Sequence, residues 1–289
     1  MYGRLDERMS LGRNGDSMSK AFLIDIARCS GCHNCQIACK DEHVGNDWSP
    51  YAKPQPIVGQ FWMKVIETVH GTIPKVKIHY TPTLCNHCDN PSCIPACDVG
   101  AIYKREDGLV IIDPAKCNGC KNCISHCPYE AIYFGEDLNI AQKCTGCAHL
   151  LDNGRSVPRC VEVCPTGAIT FGEKSELSKK MAGAVVLKPE TGLGPNVYYK
   201  NIPGRFIAGT VFDPVEEEIV EGAECHLSCG PRVWNTLSDD FGDFWFKDLP
   251  EGEYDLTIKA KGFALKLIEA IDTAASDVNL GDIPLEKQD

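Results

Sequence analysis

The sequence predicts an α+β chain: two nested modules of short helices and hairpins built around cysteine loops, then an all-β sandwich. Three observations carry this expectation. Sixteen of the eighteen cysteines fall into four similarly built sets within residues 29–164. Short apolar runs with glycine-containing turns lie around and between those sets. From about residue 204 the cysteine spacing stops, and hydrophobic alternation at period two begins.

The organising stretch is Cys117-Asn-Gly-Cys120-Lys-Asn-Cys123-Ile-Ser-His-Cys127-Pro128, spaced C-x2-C-x2-C-x3-C-P. That is the bacterial ferredoxin pattern for a [4Fe–4S] cluster. Three thiolates of one loop hold three irons, and the fourth thiolate comes from elsewhere. The pattern recurs as Cys29, Cys32, Cys35 and Cys39; as Cys85, Cys88, Cys93 and Cys97; and as Cys144, Cys147, Cys160 and Cys164. Three residues separate the last two cysteines of every set, while twelve separate Cys147 from Cys160, which reads as an inserted loop. Disulfides fit less well, because loop staples are spread along a chain and not clustered at ligand spacing. Zinc sites typically use two C-x2-C pairs with no third cysteine in the loop. Four [4Fe–4S] clusters are therefore expected.

A chain of 289 residues with a 43% apolar fraction has material for two or three domains. The net charge of −11 argues against nucleic acid, which needs a basic face, and reads as solubility. No run of ~18 apolar residues is present, so no transmembrane helix is expected. Residues 1–20 are polar and lack the apolar core of a signal peptide. They read as a disordered arm, with Met18 as a second start, and no twin-arginine pair occurs. The expected location is cytoplasmic; export together with a signal-bearing partner is the alternative.

Residues 21–172 form the expected iron–sulfur domain. Ala21-Phe-Leu-Ile-Asp-Ile26 reads as a strand leading into the first cysteine loop, and Cys35–His43 as a turn or two of helix. Residues 44–80 are a long insertion in which Pro50, Pro54 and Pro56 interrupt regular structure. Its aromatics Trp48, Tyr51, Phe61 and Trp62 serve either an interface or a simple cluster cover. Ala101–Lys104 and Leu109–Ile112 predict a hairpin around Gly108, and Ala131–Phe134 a further strand. The second and third sets thus build one two-cluster ferredoxin module, about residues 81–137. The first set, preceded by a strand, and the fourth, followed by Ala168–Phe171, form the halves of a second module wrapped around it.

In two-cluster ferredoxins the fourth cysteine of each run serves the other cluster. Applied to the nested halves, this groups Cys85, Cys88 and Cys93 with Cys127, and Cys117, Cys120 and Cys123 with Cys97. It likewise groups Cys29, Cys32 and Cys35 with Cys164, and Cys144, Cys147 and Cys160 with Cys39. Arg28, Lys116, Lys143 and Arg159 each precede a cysteine directly. Such cations either tune a cluster's potential or are ordinary solvated side chains, and the second reading is preferred for each.

Residues 173–203, rich in Gly and Pro after a short helix near Ser175–Met181, read as an extended arm that joins two domains or lies on a partner. Residues 204–289 read as a β-sandwich: Tyr254, Leu256 and Ile258 face one way, and Asp255, Thr257 and Lys259 the other. Cys225 and Cys229 lie on one strand, ~13 Å apart at four strand residues, which is too far for a disulfide. Both read as small buried hydrophobes. The pattern Gly209-Thr-Val211 … Gly222-Ala223 … Phe244-Trp-Phe246 … Leu249-Pro-Glu-Gly-Glu-Tyr254 resembles the transthyretin-like, carboxypeptidase-regulatory sandwiches. That fold by itself assigns no chemistry.

The four cysteine sets, with Lys143-Cys-Thr-Gly-Cys147 … Pro158-Arg-Cys160-Val-Glu-Val-Cys164-Pro-Thr166, resemble the electron-transfer subunit of molybdopterin oxidoreductases of the dimethyl sulfoxide reductase family. Cys39-Lys-Asp-Glu-His43, Tyr80-Thr-Pro-Thr-Leu-Cys85-x-His87-Cys88, Lys143-Cys-Thr-x-Cys-Ala-His-Leu-Leu-Asp152 and Pro195-Asn-Val-Tyr-Tyr-Lys-Asn201 are most similar to the small subunits of the pyrogallol–phloroglucinol transhydroxylase and anaerobic resorcinol hydroxylase group. The resemblance implies a heterodimer whose large partner carries a bis-pterin molybdenum or tungsten centre, binds a phenolic compound and exchanges electrons with an external donor or acceptor. It also implies that this chain has no catalytic residues. One departure stands out: the transhydroxylase small subunit has one degenerate set and holds three clusters, whereas all four sets are complete here. That departure favours net hydroxylation or dehydroxylation over balanced hydroxyl transfer. A free multi-cluster ferredoxin, the electron-transfer subunit of another respiratory molybdoenzyme and a zinc-rich scaffold are the alternatives. The β domain, the insertion and the arm count against the free ferredoxin, which needs none of them.

Overall fold

The computed structural model describes residues 19–288, so the expected arm before Ser19 lies outside the described residues. The chain divides into two compact units. The first runs to Glu67 and resumes over His79–Ile202; the second comprises Thr68–Ile78 and everything from Pro203. Among the described residues no helix is long and apolar enough to cross a membrane.

In the first unit, β1 (Lys20–Asp25) has Ala21, Phe22, Leu23 and Ile24 all buried. A continuous apolar run suits a central strand, and β1 is one. After it come α1 (Asn34–His43) and the paired strands β2 (Lys64–Thr72) and β3 (Lys75–Thr83). β4 (Ile102–Lys104) pairs with β5 (Val110–Ile112), α2 (Asn122–Ser125) follows, and β6 (Ile132–Gly135) pairs with β7 (Ile140–Lys143). The unit continues with α3 (Ala148–Asp152), α4 (Arg159–Glu162), β8 (Ile169–Glu173), α5 (Lys174–Leu177) and β9 (Val197–Lys200). β8 pairs with β1 antiparallel, placing Phe171 opposite Phe22, and β9 pairs with β1 in parallel, placing Tyr199 opposite Ile24.

The short β5 lies between two cores. Leu109 and Ile111 join Phe22, Ile24 and Trp62, while Val110 and Ile112 join Ile102, Ile132 and Ala141. Both cores include cysteines: Cys35, Cys39, Cys85, Cys144 and Cys160 in the first, Cys123 in the second.

Two expectations need correction. Residues 173–203 are not an extended arm throughout: Val197 and Tyr199 are buried, Tyr199 exchanges backbone hydrogen bonds with Val185, and β9 completes the β8-β1-β9 sheet. The insertion is regular over its second half, where β2 and β3 form a hairpin whose tip belongs to the second unit.

The second unit has two sheets. In one, β10 (Arg205–Asp213) pairs with β11 (Glu218–Ile219), β14 (Asp243–Leu249) and β17 (Val278–Pro284). The other has the order β13-β12-β15-β16, from β12 (Glu224–Cys229), β13 (Arg232–Leu237), β15 (Glu253–Lys259) and β16 (Lys266–Asp272). Alternate residues meet in the core: Cys225 and Leu227 with Tyr254, Leu256, Ile258, Phe244 and Phe246. The hairpin tip adds Lys75, which pairs with Asp243, and Lys77, whose ammonium lies 4.6 Å from the centre of the Trp245 ring.

Candidate metal centres

Three cavities of the first unit are each lined by four cysteines drawn from two sets. Cys85, Cys88, Cys93 and Cys127 line one, with Tyr129, Ile132 and Lys143. Cys97, Cys117, Cys120 and Cys123 line another beside Ile102 and Ile112. Cys29, Cys32, Cys35 and Cys164 line the third beside Pro82 and Ile169. The remaining four, Cys39, Cys144, Cys147 and Cys160, are all buried. Burial, and then the neighbouring thiols of Cys147, Cys39 and Cys144, push the Cys160 thiol well above its ordinary value. The insertion between Cys147 and Cys160 folds through α3 and returns Cys160, on α4, to Cys147. Among the described residues no three donors stand close enough to share one metal ion. In three of the groups four thiols line a space, which suits a polynuclear group.

The electrostatics fit such a group. Burial and neighbouring thiols push Cys35, Cys88, Cys123 and Cys147 up to about 12. Without iron these thiols stay protonated; bound metal supplies the positive charge that displaces the protons. Cys164 departs from this. Burial raises its pKa, but the Ile169, Ala168 and Thr166 N–H groups and the Thr166 hydroxyl outweigh burial and bring it below the ordinary value. Backbone N–H groups also donate to sulfur from Ala101 to Cys97 at 3.2 Å, Ala141 to Cys117 at 3.4 Å and Gly146 to Cys144 at 3.3 Å. Bonds of this kind set a cluster's potential.

Each cysteine loop needs a left-handed residue before its second cysteine. Gly31, Gly119 and Gly146 fill that place in three sets, with φ of 69°, 75° and 63°. A Cβ on Gly119 would stand 2.5 Å from the Asn139 carbonyl oxygen. The second set puts His87 there, at φ 42°. Nδ1 of His87 accepts the Val110 N–H at 3.0 Å, and burial, with Lys143 and Lys104 nearby, holds the ring neutral. The sequence places His87 in a motif of the resemblance without a role; aligning the four loops at this position, C-x-[Gly/His]-C, would have exposed its place in the turn.

Two of the insertion's aromatics, Trp48 and Trp62, form a cover beside the fully buried group together with His43 and His149, to which sequence reasoning gave no role. Trp48 stacks on His149 at 4.3 Å, and His43 meets His149 at 5.4 Å and Trp62 at 4.7 Å. His43 lies one helical turn after Cys39, and His149 two residues after Cys147. Burial holds His43 down to about 4, so its ring is neutral.

Residues 76–174 match the 4Fe-4S dicluster domain, and residues 207–286 match the carboxypeptidase regulatory-like domain. The chain is 39% identical over 275 residues to the pyrogallol hydroxytransferase small subunit of Pelobacter acidigallici, spanning 91% of this chain and 98% of that one. It is 36% identical over 194 residues to a subunit of the tetrathionate reductase of Salmonella typhimurium, across 65% of this chain and 74% of that one. It is 41% identical over 117 residues to the arsenate respiratory reductase iron–sulfur subunit of a Shewanella species, across 40% and 45%. This chain belongs to the iron–sulfur small subunits of the molybdenum oxidoreductases. A small subunit of this kind carries [4Fe–4S] clusters, transfers electrons and does no substrate chemistry of its own. The first unit is its dicluster-type part, and the second is an all-β domain of the carboxypeptidase-regulatory type.

Proposed function

We propose that this small subunit holds four [4Fe–4S] clusters on sixteen cysteines, in two nested ferredoxin-like modules. It serves a large molybdenum or tungsten bis-pterin subunit that acts on a phenolic ring. The ligand sets are Cys29, Cys32, Cys35, Cys164; Cys39, Cys144, Cys147, Cys160; Cys85, Cys88, Cys93, Cys127; and Cys97, Cys117, Cys120, Cys123. The observation that carries this is the lining of three separate cavities by cysteines combined in the crossed way. When bound, the clusters supply one-electron oxidation and reduction.

Shared neighbours support an order for the four cysteine groups. Cys35 and Cys39 lie one turn apart on α1. The Cys144 thiol is influenced by Cys85, and the Cys123 thiol by Cys93. Burial grades along this order: Cys32 and Cys120, in the two end groups, are exposed, while the fourth set's group is wholly buried. An array exposed at both ends suits passage of electrons between a partner and an outside donor or acceptor. The domain reading is residues 21–172 for the clusters, with the inner module at about 81–137, and 204–289 for the sandwich. The location is cytoplasmic.

The reaction served is net hydroxylation or dehydroxylation of a polyphenol, because hydroxyl exchange between two polyphenols needs no outside electrons. The relative that matches along nearly the whole chain, a pyrogallol hydroxytransferase small subunit, favours hydroxyl transfer as the second reading. An anaerobic assay of the purified complex on polyphenols, with and without a redox dye, separates the two. Dye-dependent turnover is expected; sustained balanced transfer at a rate the dye leaves unchanged would establish the second reading.

A further inference from the structure

Four cations precede cysteines and look alike in sequence: Arg28, Lys116, Lys143 and Arg159. The fold separates them. Lys116 is 62% exposed and pairs with Asp113. Arg159 pairs with Glu162 and Glu42. Arg28 is exposed and donates to the Thr166 carbonyl oxygen. Lys143, the last residue of β7, is only 3% exposed. Its ammonium donates to the Val110 carbonyl oxygen and, at 3.0 Å, to that of Cys144. Among the described residues it has no carboxylate partner.

A buried cationic side chain calls for a compensating negative charge nearby. The surroundings of Lys143 name the missing charge. Its side chain lines the cavity of Cys85, Cys88, Cys93 and Cys127. Its charge is felt by the Cys93 and Cys127 thiols on that side and by the Cys144 thiol on the other. Resting on the four-cluster reading above, we propose that Lys143 is the shared counter-charge of two neighbouring clusters. One is held by Cys85, Cys88, Cys93 and Cys127, and the other by Cys39, Cys144, Cys147 and Cys160. Its positive charge raises the reduction potential of both.

The physical reason is simple. Reduction adds negative charge to a cluster that is already anionic, and burial of these two middle groups penalises that charge. A fixed cation between them opposes the penalty for both at once. The end groups, with exposed Cys32 and Cys120, have water to do this. Lys143 is thus a positioning charge and touches no substrate.

The test is an EPR-monitored redox titration of the complete heterodimer carrying Lys143→Met, Lys143→Gln or Lys143→Arg, with iron counted in each. Met and Gln should lower two of the four centres by at least tenfold in the reduction equilibrium, which is about 59 mV for a one-electron couple, and leave the other two unmoved. Arg should restore both. Loss of iron in the Met and Gln variants with retention in the Arg variant would also support the charge. Unshifted potentials with all four centres present, or equal shifts in all four, would overturn the assignment. So would an Arg variant that shifts or loses iron like Met, because the position would then require shape and not charge. A wild-type protein with fewer than four centres would instead refute the four-cluster reading on which this rests.

Discussion

Cys123 in the first unit and Cys225 in the second both have thiols pushed up to about 12, and the causes differ. At Cys225 burial alone does it: the residue shares one apolar core with Leu227, Leu256 and Phe244 and behaves as a small apolar side chain. At Cys123 burial is joined by the thiols of Cys117, Cys93, Cys120 and Cys97. One unit buries a cysteine as filler for a core that alternating strands already close. The other gathers sulfur from distant points of the chain into cores that are themselves built partly of cysteine. The same residue type, equally buried, reports two ways of holding a fold together.

Iron removal should break this symmetry most strongly. In the first unit metal binding is folding free energy, because without iron the protonated thiols surround a space that nothing fills. Stripping iron from the whole protein with a chelator should abolish hydrogen-exchange protection in β4 to β7. Protection in β10, β12 and β15 should stay as it was. Persisting protection in both units would mean that the apolar cores around Phe22 and Val110 suffice alone.

Single cysteines sharpen the contrast. Cys117→Ser should cost or convert one cluster and lower iron by up to about a quarter, with the sandwich unaffected. Cys225→Ser should leave iron unchanged and lower the melting temperature of the sandwich, since a hydroxyl replaces a thiol in an apolar site at a cost of about 1–3 kcal/mol. Iron analysis and calorimetry on the two variants read both effects. Leu256→Ala, deep in the sandwich core, should cost about 2–5 kcal/mol by leaving a cavity. The visible absorbance of the clusters should not change; bleaching on this substitution would show that the first unit depends on the second for its cofactors.

These differences also explain what could be read in advance. The cysteine groups were legible because a cluster constrains spacing along the chain, and the strands beside them because Phe22-Leu23-Ile24 and Val110-Ile111-Ile112 are continuous apolar runs. The sandwich was legible from strict alternation in Tyr254, Leu256 and Ile258. β7 was not: it reads Ile140-Ala-Gln-Lys143, and its buried Gln142 and Lys143 hide the apolar signal. Gln142 is buried because it donates to the carbonyl oxygens of Lys53 and Pro54, residues 89 and 88 positions away. β9 was hidden because only four residues pair, after a Gly- and Pro-rich stretch. The β2–β3 hairpin was hidden because its tip belongs with strands that begin more than a hundred residues later. Lys143 could not be told from Lys116, since burial, and not the residue before a cysteine, sets them apart.

The smallest effect expected lies at that hairpin tip, in the unit without clusters, where acid can be used as a probe. Lys75 is buried and pairs with Asp243, which also accepts the Thr210 hydroxyl at 2.7 Å. Burial alone would raise the Asp243 carboxyl, but Lys75 and then Thr210 outweigh it and hold it below the ordinary 3.8. A depressed carboxylate stabilises the fold fully above that ordinary value, and the contribution is lost as pH falls through the depressed one. Lys75→Met removes the charge-assisted bond, for about 1.5 kcal/mol at neutral pH. The gap between wild type and variant should therefore hold from pH 7 down to about 4 and shrink below it. Hydrogen exchange in β10 and β14 at several pH values measures it locally. A gap that widened on acidification would mean that Asp243 is not the partner through which Lys75 acts.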